Sequence, residues 1–310
     1  MKSLRVFLRN YALRSSFLIF LALWLACAPS WGSEKDAVIE RGRPVYLLDS
    51  VGNALSTPQK VVLLNSKIDN HSVSSPTEQT LRAFLDENGE EMKDVKIRIN
   101  QCDPWGELGR LTKNHRISWW WRIFPGAPVT LWSSLTGRLL GGDNYNPYTN
   151  TISLYSDSPV VALHEAGHAK DFARREPGFD SDVYALGRVL PPVALYQEYE
   201  ATDEAIQHLR EKRGAEGERE GYRTLYPAYG TYGGAYSGIP YGQVAGAAVG
   251  HGVAWWKIRE QNLYKDSVRD GEAPKGFEAD PLAKAVTQSE SGDNDTLYRG
   301  LNRTGQIRWD

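Results

Sequence analysis

The chain has 310 residues, 24% charged and 41% hydrophobic, with a formal net charge of −2. That length suits one large or two small globular domains with a substantial core. The near-neutral charge leaves no electrostatic footprint for nucleic acid, which is set aside as a partner.

At the N-terminus Lys2, Arg5, Arg9 and Arg14 precede the apolar run Phe17–Ala26, the pattern of a targeting segment over residues 1–32. The run is short for a membrane span, which needs about 20 apolar residues. Cleavage after Ser30-Trp31-Gly32 leaves Ser33 first. Alternatively, Leu25-Ala26-Cys27 reads as a lipoprotein signal with an acylated Cys27, although Trp24 stands where such signals carry an aliphatic residue. An uncleaved anchor is the third option. Each takes the chain out of the cytoplasm, to a bacterial periplasm or the membrane-associated cell envelope. With Cys27 removed or lipidated, Cys102 stands alone and is expected as a small buried apolar residue.

A polar lead-in follows Ser33. The runs Val45–Leu48 and Val61–Leu64 predict strands, and Pro76–Leu85 predicts a helix capped by Ser75 and ended by Asn88-Gly89. Val95–Ile99 alternates apolar and charged residues, which predicts a half-buried strand. Ile117–Phe124, with three adjacent tryptophans, has two readings: a strand covered on both faces, or an exposed aromatic patch for a membrane or substrate. Gly141–Asn150 is dense in turn residues. Thr151–Tyr155 alternates again and predicts a strand at the sheet edge, where an extended peptide would add.

Residues 159–175 predict a helix, with Ser158 as N-cap and Pro159 at the first position. It carries His164-Glu165-Ala166-Gly167-His168. Positions i and i+4 share a helix face, so both imidazoles reach one ion, and Glu165 is offset toward a water. This is the H-E-x-x-H arrangement of two zinc ligands and a general base. Catalytic zinc takes a third protein ligand. The next helix, Val193–Leu209, offers Glu198 and Glu200. Leu195, Tyr199, Thr202, Ala205, Ile206 and Leu209 define its inward stripe. Glu198 falls within that stripe and Glu200 on the polar side, so Glu198 is the expected ligand and Glu200 the fallback.

At these residues the chain resembles the gluzincin metallopeptidases, which carry H-E-x-x-H on one helix and a ligand glutamate on the next, often as E-x-x-A-D. Glu198–Ala201 matches E-x-x-A, but Thr202 replaces the aspartate that orients a ligand histidine in those families. Asp171 and Asp203 are candidates to substitute. A fainter likeness to the aspzincins, through Asp182-Val183-Tyr184, ranks Asp182 third as ligand. The resemblance covers Thr151 to Leu209. It implies an α+β, zincin-like fold with a mixed sheet, an H-E-x-x-H active-site helix and a second ligand-bearing helix. It also implies a zinc cofactor and a peptide or protein substrate.

From Thr224 to Trp256 there is no charged residue, and Gly230, Gly234, Gly238, Gly242, Gly246 and Gly250 recur every four positions. Pro240 interrupts any single helix, so two helical pieces or a hairpin are expected. Its packing partner is either the catalytic domain or a membrane, with Trp255, Trp256 and Lys257 as an interfacial end. His251, in this segment, is a candidate for steadying an oxyanion, as a later His or Tyr does in thermolysin-like gluzincins. The expected organisation is therefore a targeting segment over 1–32, a catalytic domain over 33–215, a glycine-rich helical segment over 216–264 and a polar, mostly disordered tail over 265–310. The expected function is an exported zinc metallopeptidase with Glu165 as general base. The alternative is a non-catalytic envelope or membrane-associated protein with a structural zinc site, held to a membrane by a lipid on Cys27 or by the glycine-rich segment.

Overall fold

The computed structural model describes residues 38–269, with side chains described to residue 263. The targeting readings over 1–32, Cys27 included, and the tail beyond Arg269 lie outside the described residues. The fold is α+β, mostly helical, with one small mixed sheet. In chain order the elements are β1 (Ile39–Arg41), α1 (Tyr46–Leu55), α2 (Thr57–Val62), α3 (Ser75–Glu87), α4 (Gly89–Met92), β2 (Lys96–Ile99) and α5 (Pro104–Lys113). Next come a helical turn α6 (Trp119–Trp121), a wide turn (Arg122–Gly126), α7 (Ala127–Leu140), β3 (Asn144–Asn146) and β4 (Thr151–Leu154). Last are α8 (Pro159–Ala173), α9 (Phe179–Gly187), α10 (Pro191–Tyr236) and α11 (Gly242–Arg269).

The sheet has the order β1-β2-β4-β3, with β3 antiparallel to its neighbour and the other pairs parallel. The strand leading into α8 is thus internal. The edge on that side is β3, which comes from the turn-rich stretch. Strand β2 alternates as expected, but all four of its residues are buried. Its charged face survives burial because each cation is paired. Lys96 Nζ lies 2.8 Å from Glu40, and Arg98 lies 2.6 Å from both Glu40 and Glu107. Unpaired, either charge would cost several kcal/mol.

Three expected strands are helical. Val45–Leu48 opens α1, where the Asp49 carboxylate accepts the Val45 amide at 2.9 Å and also receives Arg138 at 2.8 Å. Val61–Leu64 straddles the end of α2. Ile117–Phe124 is a buried Ile117 followed by the helical turn, with Trp119, Trp120, Trp121, Ile123 and Phe124 exposed. The strand covered on both faces is therefore not formed, and the aromatic patch is. Cys102 is buried but disulfide-bonded, not the lone thiol expected.

Helix α8 is the core. Ser158 caps it as expected, accepting from the Val161 amide. Ala162, Leu163, Ala166, Ala169 and Phe172 are fully buried. The helix packs on α10, α3, β3 and β4. Gly167 permits a close approach to α10: a Cβ there would stand 2.9 Å from the Ala201 carbonyl oxygen. Helix α10 is broken at Gly214, and its second arm forms a hairpin with α11. A Cβ on Gly230 would meet the Gly246 backbone at 2.1 Å, and one on Gly250 the Tyr226 backbone at 2.2 Å. Gly230, Gly234, Gly242, Gly246 and Gly250 thus form a helix-to-helix seam, while Gly238 lies in the connection between the two helices. Among the described residues no helix is long and apolar enough to cross a membrane. The chain divides after Trp255 into two units; in the second, Lys257 sits 5.4 Å from the Trp256 ring centre.

Gly167→Ala should therefore destabilise the protein by about 1–3 kcal/mol despite alanine's better helix propensity, because the clash is with backbone. Chemical denaturation reads this directly. An unchanged midpoint would mean that α8 and α10 do not approach as described.

Candidate metal centre

His164 and His168 stand one turn apart on α8, their ring centres 4.7 Å apart and nearly perpendicular. The α8–α10 contact brings Glu198 between them. His164 Nε2 is 3.1 Å from Glu198 Oε2, and His168 Nε2 is 3.4 Å from Glu198 Oε1. One donor atom from each of the three lies within 4.8 Å of the others, and all three residues are buried. Two imidazoles and a carboxylate are the donor set zinc accepts. His168 Nδ1 and Glu165 Oε2 are buried with no hydrogen-bond partner.

Thr202, one turn beyond Glu198, places its hydroxyl 3.4 Å from His164 Nδ1. It occupies the orienting position for which Asp171 and Asp203 were candidates. Asp171 instead pairs with Arg175 at 2.6 Å, and Asp203 accepts from Gln207 at 2.6 Å. Asp182 is likewise elsewhere, holding the Ser118 amide at 2.8 Å. Glu200 is engaged by Tyr196 on the outer side of α10. His251 is not at the site: its Nε2 lies 3.0 Å from the Val62 carbonyl oxygen. Within the expected inward stripe of α10, Tyr199 is in fact exposed, while Glu198, Thr202, Ala205, Ile206 and Leu209 are buried.

Several site residues are not apparent in the sequence. Arg188, in the connection before α10, donates to the Tyr145 carbonyl at 2.5 Å and stands 3.8 Å from Glu198. Tyr232, from the second arm of α10, lines a cavity of about 160 Å³ together with His164, Glu165, Glu198, Asp69 and Asp143. The tyrosine was hidden in a stretch whose only visible pattern is its glycines. The arginine stands in a loop with no periodicity to place it.

Burial pushes Glu165 up to about 7 and His168 down to about 4, so this imidazole is neutral, as a metal ligand must be. Burial also opposes the charge on Glu198, but the imidazoles of His168 and His164 outweigh it and hold the carboxylate well below its usual range. The Tyr232 residue is 42% exposed. Glu198, more than burial, holds its hydroxyl protonated well beyond the ordinary tyrosine range.

Across the cavity, Asp143 accepts the amides of Tyr155 and Ser156 at 2.7 and 3.0 Å. Asp69 accepts the Gly142 amide at 2.9 Å through Oδ1, while its Oδ2 has no partner. Burial first, then Asp143, raises Asp69 from 3.8 to about 7. No family model, curated protein or solved structure matches the chain.

A carboxyl raised on folding stabilises the protein while protonated. Its contribution is complete below 3.8 and is lost as pH rises through about 7. Asp69→Asn keeps the Oδ1 acceptor and removes the titration. It should flatten the decline of stability across that window and leave the variant more stable than the parent above it. Urea unfolding at a series of pH values checks this; parallel curves would contradict it.

Proposed function

We propose that the protein is an exported, zincin-like zinc metallopeptidase in which His164, His168 and Glu198 hold the ion and Glu165 is the general base. The observation that carries this reading is the convergence of both Nε2 atoms on one buried carboxylate, with a second carboxyl, Glu165, beside them in the cavity. Among the described residues the group has three members, the ligand number of a catalytic site. The alternative, a closed structural site, calls for a fourth.

Zinc, when bound, polarises a peptide carbonyl and acidifies water. Glu165 accepts a proton at its unpartnered Oε2 from the attacking water and delivers it to the leaving amine. Thr202 fixes the His164 ring through Nδ1, which leaves Nε2 to bind. Arg188 adds a positive charge 3.8 Å from Glu198. Tyr232 remains a hydroxyl donor and takes the oxyanion role in place of His251, which lies away from the site. Export rests on the sequence of residues 1–32.

Glu165→Gln should retain stoichiometric zinc and lose peptide hydrolysis by roughly two orders of magnitude or more. Metal analysis and a peptide-library assay of the same sample check it, and retained hydrolysis would remove Glu165 from the mechanism. Glu198→Ala should lose zinc affinity strongly, while Glu200→Ala, on the outer side of α10, should keep it and change stability by only about 0.5 kcal/mol. Zinc titration of the pair distinguishes them; the reverse pattern would transfer the ligand role to Glu200.

A further inference from the structure

Leu108–Gly142 contains no aspartate or glutamate, yet carries Arg110, Lys113, His115, Arg116 and Arg122, besides the buried Arg138 that Asp49 pairs, in a chain of net charge −2. The same stretch forms an apolar projection. Trp120 is 61% exposed, Phe124 66% and Trp132 68%, and Trp119, Trp121, Ile123 and Val129 are exposed beside them. Trp119 and Trp120 stack with ring centres 3.9 Å apart. Along α7, Val129, Trp132 and Leu140 recur at helical spacing on one outward face. The helix packs on α1 and α5.

The base of this projection is firmly held. Ser118 is bonded to Asp182 of α9, Arg116 Nη2 donates to the Ala173 carbonyl at 2.8 Å, and Arg122 Nη1 donates to the Thr112 carbonyl at 2.6 Å. Both guanidiniums direct these hydrogen bonds to carbonyls at the ends of α8 and α5 rather than to carboxylates. A rigidly anchored, outward-facing cluster of indoles and aliphatic side chains among cations is not surface noise. Amphipathic indoles belong at the headgroup level of a bilayer, and the cations belong beside anionic headgroups. A base-stacking role would leave Ile123, Val129 and Leu140 without purpose, and the stacked indoles are already occupied with each other. From Ala26, the end of the N-terminal apolar run, to Val38 the chain extends at most roughly 40 Å, so a bilayer holding that run lies within reach.

We propose that the turn Trp119–Phe124 and the outward face of α7 form a membrane-docking surface that seats in the interface of a bilayer containing anionic lipid. This does not depend on the zinc reading.

The test uses the full chain with Trp24→Phe and Trp31→Phe, so that indole fluorescence arises beyond the N-terminal run. Vesicles of phosphatidylcholine, alone or mixed with phosphatidylglycerol, carry brominated acyl chains. The expected result is quenching that is stronger with phosphatidylglycerol. Trp119→Ser/Trp120→Ser/Phe124→Ser should lose most of it and weaken partitioning roughly tenfold or more, with an unchanged circular dichroism spectrum. Lys113→Glu, at an exposed position, should weaken binding to the anionic vesicles alone, and it keeps the test decisive if the triple variant does not fold. The proposal is overturned if the triple variant binds and quenches as its parent does. It is equally overturned if the protein is a dimer that the triple variant dissolves while vesicle binding persists, or if Lys113→Glu has no effect and quenching is indifferent to phosphatidylglycerol.

Discussion

The structure turns on one close approach, the backbone of Gly167 against that of Ala201. With a Cβ at this point of α8, α10 would be held off. Glu198 lies one helical turn before Ala201 and Thr202, so the distance between the helices sets the distance from its carboxylate to both imidazoles. The small residues on α8 are thus the means by which a glutamate 34 positions away from His164 arrives at 3.1 Å. Packing and chemistry here are one constraint.

That constraint concentrates charge in a dry place. A buried carboxylate without a partner is costly, and Glu198 has the ring nitrogens of His164 and His168 and the guanidinium of Arg188 beside it. For Glu165, burial outweighs the pull of His164 and Arg188. Burial raises its pKa to about 7, and its Oε2 has no hydrogen-bond partner. The sheet manages its charges differently: Lys96, Arg98, Glu40 and Glu107 neutralise each other in pairs. One domain thus holds a closed ion-pair network in its sheet and an unbalanced cluster of buried titratable groups between α8 and α10.

The helix α8 was legible because several signals coincide in it: the Ser158 cap, Pro159 and two histidines at i, i+4. Glu198 was legible from the periodicity of α10, even though Tyr199 in that stripe faces solvent. Short apolar runs were not legible, since Val45–Leu48 and Val61–Leu64 satisfy strand and helix patterns equally over a single turn. Strand β1 was missed because its Glu40 is polar and buried by ion pairs that come from distant sequence. Tyr232 and Asp69 reach the cavity, and Arg188 reaches Glu198, from three separate segments, and no local pattern records such convergence. The tryptophans were legible as an anomaly, and exposure rather than a sandwiched strand resolves them.

The direct test of the metal centre is anomalous diffraction at the zinc edge from crystals grown with zinc. A strong peak bonded to His164 Nε2, His168 Nε2 and the Glu198 carboxylate, open to solvent on the side of Glu165, is the predicted result. No peak there, or an ion closed by a fourth protein ligand, would contradict it.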